Sequence, residues 1–134
     1  MMDGLHWRAD FTLVERRVAR DYLATNGGWR MGQHAWVLEV RPGYEEEYKK
    51  RHDEIWPEMV DALRKAGVRN YSIFRHGLTL FGYFETNNLE GTVDVLAKDP
   101  VNARWGQSMA PLMKIEVDQR TGFPFLLPKQ WHMD

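Results

Sequence analysis

At 134 residues the chain is expected to form one domain, and 18 basic against 19 acidic residues leave a net charge of −1. That balance gives no electrostatic case for nucleic acid or for an anionic membrane surface. The absence of cysteine excludes disulfides, thiolate catalysis and cysteine-ligated metal, and no apolar run reaches the ~18 residues a membrane span needs.

Residues 1–30 carry a short helical stripe of Leu13, Val14, Val18 and Tyr22, broken by Asn26-Gly27-Gly28. They are Arg-rich, but Asp3, Asp10, Glu15 and Asp21 argue against a transit peptide. Residues 1–32 therefore read as a poorly ordered extension, with Met31 as an alternative start and a single domain over 33–134. Nothing marks the chain for export, so the cytoplasm is the default expectation.

From His34 the pattern is regular. Ala35–Val40 predicts a strand with Trp36, Leu38 and Val40 on one side. Tyr44–Gly67 predicts a long amphipathic helix, with Glu45, Glu46 and Glu47 at the positive end of its dipole. Lys49, Lys50 and Arg51 each follow a glutamate by four residues, in the order that favours helical ion pairs. Tyr44, Tyr48, His52, Ile55, Met59 and Leu63 form the opposite stripe. Pro57 predicts a kink just after His52, and Gly67 a left-handed cap.

Asn70–Arg75 and Leu78–Glu85 predict a hairpin turning at His76-Gly77. Asn87, with Glu90 three residues on, predicts the cap of a helix over Asn88–Lys98. Asp99-Pro100 starts another helix to Ala110. Leu112–Val117 predicts a last strand, followed by an extended apolar run, FPFLLP. The order βαββαβ is a ferredoxin-like α+β plan with an antiparallel sheet. Its helices cover one sheet face and leave the other bare and rich in aromatics. A second copy on that face would give a homodimer, a dimeric α+β barrel.

Phosphate loops, GxSxG and HExxH are all missing from the sequence. Glycine placement reads as that of turns and caps. His52 and Glu54 are two apart and make a poor chelate, so neither a metal nor another cofactor is expected. What remains is a neutral polar and aromatic set: Tyr48 and His52 one helical turn apart, Tyr71 on the second strand and Trp105 on the later helix. Histidine gives and takes protons near neutrality. Phenols donate and accept hydrogen bonds, and aromatic faces cover apolar patches. Such a set suits an uncharged polyhydroxy ligand.

From about Gln33 onward the chain resembles the L-rhamnose mutarotase family. EEEYKKRHDEIWPEM matches that family's EEY-x-x-RH-x-x-IWPE signature, and GVRNYSIF, the D-x-x-x-x-RW segment at Asp99–Trp105 and the terminal HMD extend the match. The resemblance implies a dimeric ferredoxin-like enzyme that interconverts the α and β anomers of a deoxysugar without a cofactor. It assigns proton transfer to His52 and sugar binding to Tyr48, Tyr71 and Trp105. The family's Trp-Trp pair is matched only at its first position, because Gly106 occupies the second. That departure leaves L-fucose as an alternative substrate to L-rhamnose.

Mutarotation needs a proton removed from the anomeric hydroxyl and one delivered to the ring oxygen. Asp53, Glu39, Glu116 or a water are candidates to assist His52. A dimeric-barrel monooxygenase and a non-catalytic sugar-binding module are the competing readings, since fold alone does not fix function.

Overall fold

The computed structural model describes residues 32–114 and 124–134. The expected extension over 1–31 lies outside them. Strand β1 (Gly32–Val40) leads to helices α1 (Glu45–Asp53) and α2 (Pro57–Lys65). Strands β2 (Arg69–His76) and β3 (Thr79–Thr86) follow, then helices α3 (Leu89–Lys98) and α4 (Pro100–Met109). A single 3₁₀ turn, Ala110–Leu112, delivers the chain to β4 (Met113–Lys114). The strands form one antiparallel sheet in the order β2-β3-β1-β4, the ferredoxin-like arrangement.

Pro57 does more than kink a helix. It separates α1 from α2, with Trp56 extended at φ −61° and ψ 132° between them. A proline imposes that backbone on the residue before it and then serves as the first residue of a new helix. Of the three expected Glu–Lys/Arg pairs, Arg51–Glu47 forms at 3.0 Å. Lys49 turns forward to Asp53 instead, at 2.7 Å, and Glu45 accepts from the Gly43 amide at 2.6 Å. Gly67 is left-handed at φ +96°, as its place after α2 required.

The cap of α3 is Asn88 rather than Asn87, its side chain accepting from the Gly91 amide at 3.0 Å. Asp99 caps α4 through the Val101 amide at 2.8 Å, with Pro100 at the first position. The described part of β4 covers Met113–Lys114, and Glu116 lies outside the described residues. Farther along, Leu126 bridges to Trp36, and the Leu127 amide donates to Ala35 at 2.7 Å. The tail thus runs along the β1 edge that β4 begins to cover.

One sheet face packs on the helices through Trp36, Val40, Leu80, Phe84, Leu96, Leu112 and Met113. The other presents Phe74, Phe81 and Val37 in adjacent register, with Phe74 66% and Phe81 44% exposed. Among the described residues, no helix is long and apolar enough to cross a membrane.

Candidate active site

A cleft of about 1130 Å³ opens between the helices and the inner sheet face. Tyr48, His52, Tyr71, Trp105 and Gly106 all line it. Three elements therefore meet on one space: α1 supplies Tyr48 and His52, β2 supplies Tyr71, and α4 supplies Trp105 and Gly106.

On α1 the four-residue spacing stacks the imidazole of His52 on the phenol of Tyr48, with ring centres 4.3 Å apart and planes at 28°. His52 Nδ1 lies 3.0 Å from the carbonyl oxygen of Tyr48. A carbonyl only accepts, so Nδ1 carries the proton and Nε2 presents a lone pair. Among the described residues no hydrogen-bond partner meets Nε2. Burial lowers the His52 pKa from its ordinary 6.5; the Tyr48 carbonyl and the Asp53 carboxylate oppose that shift without cancelling it. The neutral imidazole therefore predominates at pH 7.

The tryptophans fix the other side of the ring. Trp105 meets His52 edge-on at 5.3 Å, and Trp56 meets Trp105 edge-on at 5.2 Å. Arg104 sits 5.9 Å over Trp56 and reaches Glu58 at 3.5 Å. Arg51 holds α4 against α1 by donating from Nη1 to the Ser108 carbonyl. The neighbours of His52 and Trp105 in sequence thus serve mainly to hold these two rings together.

Tyr71 owes its position to a bulge. Arg69 pairs with Glu85 and Ser72 with Tyr83, so Asn70 and Tyr71 together oppose Phe84. Asn70 takes the left-handed conformation this requires, at φ +50°, and its side chain donates to Glu85 at 2.9 Å. Tyr71 then shares the inner face with Phe84, at 5.7 Å between ring centres. Its hydroxyl accepts from Trp36 Nε1–H at 3.0 Å. The residue as a whole is 39% exposed, but its hydroxyl end is enclosed. That enclosure pushes the phenol up to about 12, the Trp36 bond opposing it. Burial, and then the neighbouring Tyr71, raise the Tyr48 phenol still further. Both phenols remain protonated at neutral pH and enter the cleft as hydroxyls.

Of the auxiliary acids considered from sequence, Asp53 pairs with Lys49 and Glu39 with Lys114 at 3.5 Å, and neither lines the cleft. Several contributors were missed in the sequence. Arg64, Arg69 and Asn70 also line the cleft; Asn70, a turn-former inside a strand, was the legible sign of the bulge. Gly82 corrects the reading of glycines as turns and caps alone, since it sits in mid-strand opposite Trp36. Among the described residues, no group of three or more His, Cys, Asp or Glu side chains is placed to hold a metal ion.

A ferredoxin-like sheet with an imidazole, two protonated phenols and an indole around one cleft defines a class of site, one able to hold a small polar molecule against a proton-exchanging group. Comparison with known proteins narrows that class. A family model described as L-rhamnose mutarotase matches residues 33–133. An L-rhamnose mutarotase of Oceanobacillus iheyensis is 40% identical over 106 residues, covering 78% of this chain and 100% of the relative. One from Rhizobium etli is 44% identical over 88 residues, covering 64% of this chain and 82% of the relative. The crystal structure of an L-rhamnose mutarotase from Formosa agariphila superposes with a TM-score of 0.62 at 27% identity, covering 76% of this chain and 98% of that one. The chain belongs to the L-rhamnose mutarotase family.

Proposed function

We propose that the protein interconverts the α and β anomers of L-rhamnose, with His52 moving the proton and Tyr48, Tyr71 and Trp105 holding the sugar. The observation that carries this reading is the state of His52 within the cleft: neutral, with Nδ1–H committed to the Tyr48 carbonyl and Nε2 available. Membership of the family favours this class over an oxygenase or a passive sugar-binding module.

The reaction is a proton relocation. Nε2 takes the anomeric hydroxyl proton while the bond between C1 and the ring oxygen breaks, giving the open aldehyde. The imidazolium so formed returns the proton to the former ring oxygen. Rotation about C1–C2 presents the other carbonyl face, and the reverse steps close the ring as the second anomer. Both oxygens are bonded to C1 in the closed ring, so one imidazole at that edge can serve each in turn. A lowered pKa keeps the base form present and makes the imidazolium a ready donor. Tyr48 and Tyr71 supply hydroxyls, and the Trp105 indole covers an apolar sugar patch.

L-Fucose is a second reading, favoured by one observation. Gly106 lines the cleft where the family carries a second tryptophan, and a Cβ built there meets no atom within 4 Å. Exposed Phe74 and Phe81, with half-buried Val37 beside them, support assembly as a homodimer through the bare sheet face. A domain over 33–134, to which Gly32 adds the first residue of β1, with the residues before it as an appendage, and a cytoplasmic location, complete the proposal. Polarimetry of freshly dissolved α-L-rhamnose tests the activity. Catalytic protein will speed the drift to equilibrium rotation in proportion to its concentration; a drift unchanged by protein would refute the reading.

A further inference from the structure

Trp36 stands in mid-β1, opposite Gly82 on β3, and is 2% exposed. A Cβ on residue 82 would lie 2.0 Å from Cε2 and 2.4 Å from Nε1 of Trp36. Hydrogen is thus the side chain at position 82 that leaves room for this indole. Because β3 lies between β1 and β2, the empty space over Gly82 is what lets the indole reach across the central strand. It ends on the hydroxyl of Tyr71, 3.0 Å away, with the two rings edge-on at 86°. An indole N–H only donates, whereas a phenol hydroxyl has one proton and acceptor lone pairs. The Tyr71 oxygen is therefore the acceptor in this bond, and its own proton must point elsewhere. Tyr71 lines the cleft, so the cleft is where that proton can find an acceptor.

We infer that Trp36, seated over Gly82, is a positioning residue that biases the Tyr71 hydroxyl toward donating its hydrogen bond to an acceptor oxygen of the bound sugar. This rests on the mutarotase reading of the site. A phenol without such a partner can present either its proton or its lone pair to a ligand, and a sugar hydroxyl can answer either. Filling one lone pair from behind biases that choice toward a ring oxygen or a hydroxyl oxygen that accepts. The Trp36 bond also opposes the burial that pushes the Tyr71 phenol up, so it eases hydrogen-bond donation by the same group. Gly82 takes part by absence, since any larger residue would displace the indole from its seat.

The test pairs kinetics with a spectrum that needs no sugar. Anomer exchange of L-rhamnose is measured for wild type, Trp36→Phe, Tyr71→Phe and the double variant. Each single change should lower kcat/KM by about fivefold, the usual worth of one neutral hydrogen bond, and the double variant should match Tyr71→Phe alone. If Trp36→Phe costs as much in the Tyr71→Phe background as in wild type, Trp36 acts by packing and the inference is overturned. In parallel, the six indole N–H resonances of ¹⁵N-labelled protein are compared with those of Tyr71→Phe. One resonance should shift strongly upfield as its acceptor disappears; an unchanged set overturns the inference even if Trp36→Phe does not fold. A wild-type protein that exchanges no anomers refutes the mutarotase reading instead. The indole spectrum still decides whether Trp36 holds the Tyr71 hydroxyl.

Discussion

Replacing Gly106 with Trp should restore a missing wall of the cleft and shift sugar preference toward L-rhamnose. Gly106 lies on α4 beside Trp105, lines the cleft, and has open space where its Cβ would go. A tryptophan can bury ~150–250 Å², and with somewhat less than half of that against a ligand, ~100 Å² leaves water. At ~25 cal/mol per Å² the gain is about 2.5 kcal/mol. Fixing the side chain costs about 1 kcal/mol of that, leaving about 1.5 kcal/mol, or about tenfold in affinity. The assay is exchange of L-rhamnose and L-fucose anomers by wild type, Gly106→Trp and Gly106→Ala. The alanine variant is the control, since it should stabilise α4 by about 1 kcal/mol through helix propensity while touching no ligand. Gly106→Trp should raise the L-rhamnose to L-fucose ratio of kcat/KM by about tenfold over wild type, and Gly106→Ala should leave it alone. An unmoved ratio in a folded Gly106→Trp protein would show that this position does not contact the sugar.

Further expectations concern pH, the extension and assembly. Exchange should depend on a group titrating below 6.5, because burial lowers the His52 pKa and the base form does the work; a pH–rate midpoint at or above 6.5 would contradict this. Stability should fall with acid through His34, whose pKa burial and Lys129 lower to about 4. Between pH 6.5 and 4 the unfolded chain binds the proton that folded His34 refuses. That costs up to roughly 3 kcal/mol by pH 4; a melting temperature independent of pH across this window would refute it. Protein beginning at Met31 should keep full exchange activity, and a loss on removing residues 1–30 would make them structural. Light scattering should report a dimer at micromolar concentration, and Phe81→Glu should dissociate it; an unaltered dimer would move the interface off the bare sheet face.

What the sequence made legible was local. Tyr48 and His52 lie four apart on a periodic helix, so their contact follows from helix geometry. The Asp99-Pro100 step announced a helix start, and Pro57 an interruption after His52, through the backbone chemistry of proline; that Pro57 opens a separate helix rather than kinking one was not legible. The rest depended on pairing across the sheet. The bulge at Asn70 and Tyr71 is defined by what Phe84 opposes, and a single strand does not declare its register. Gly82 and Trp36 are distant in sequence, and their contact exists only once β1 and β3 align. The cap of α3 fell on Asn88 rather than Asn87 because two adjacent asparagines offer the same chemistry, and strand β3 running to Thr86 decides which is used.

The central claim is that this chain exchanges sugar anomers through His52. Saturation-transfer NMR on equilibrated L-rhamnose measures it directly: the α anomeric proton is irradiated and the loss of the β signal is followed. The comparison is wild type against His52→Ala at matched concentration, with circular dichroism confirming the fold of both. The account predicts strong transfer with wild type and a drop of about 10²-fold or more in His52→Ala, the usual worth of positioned acid–base catalysis. Equal transfer by the two folded proteins would contradict it.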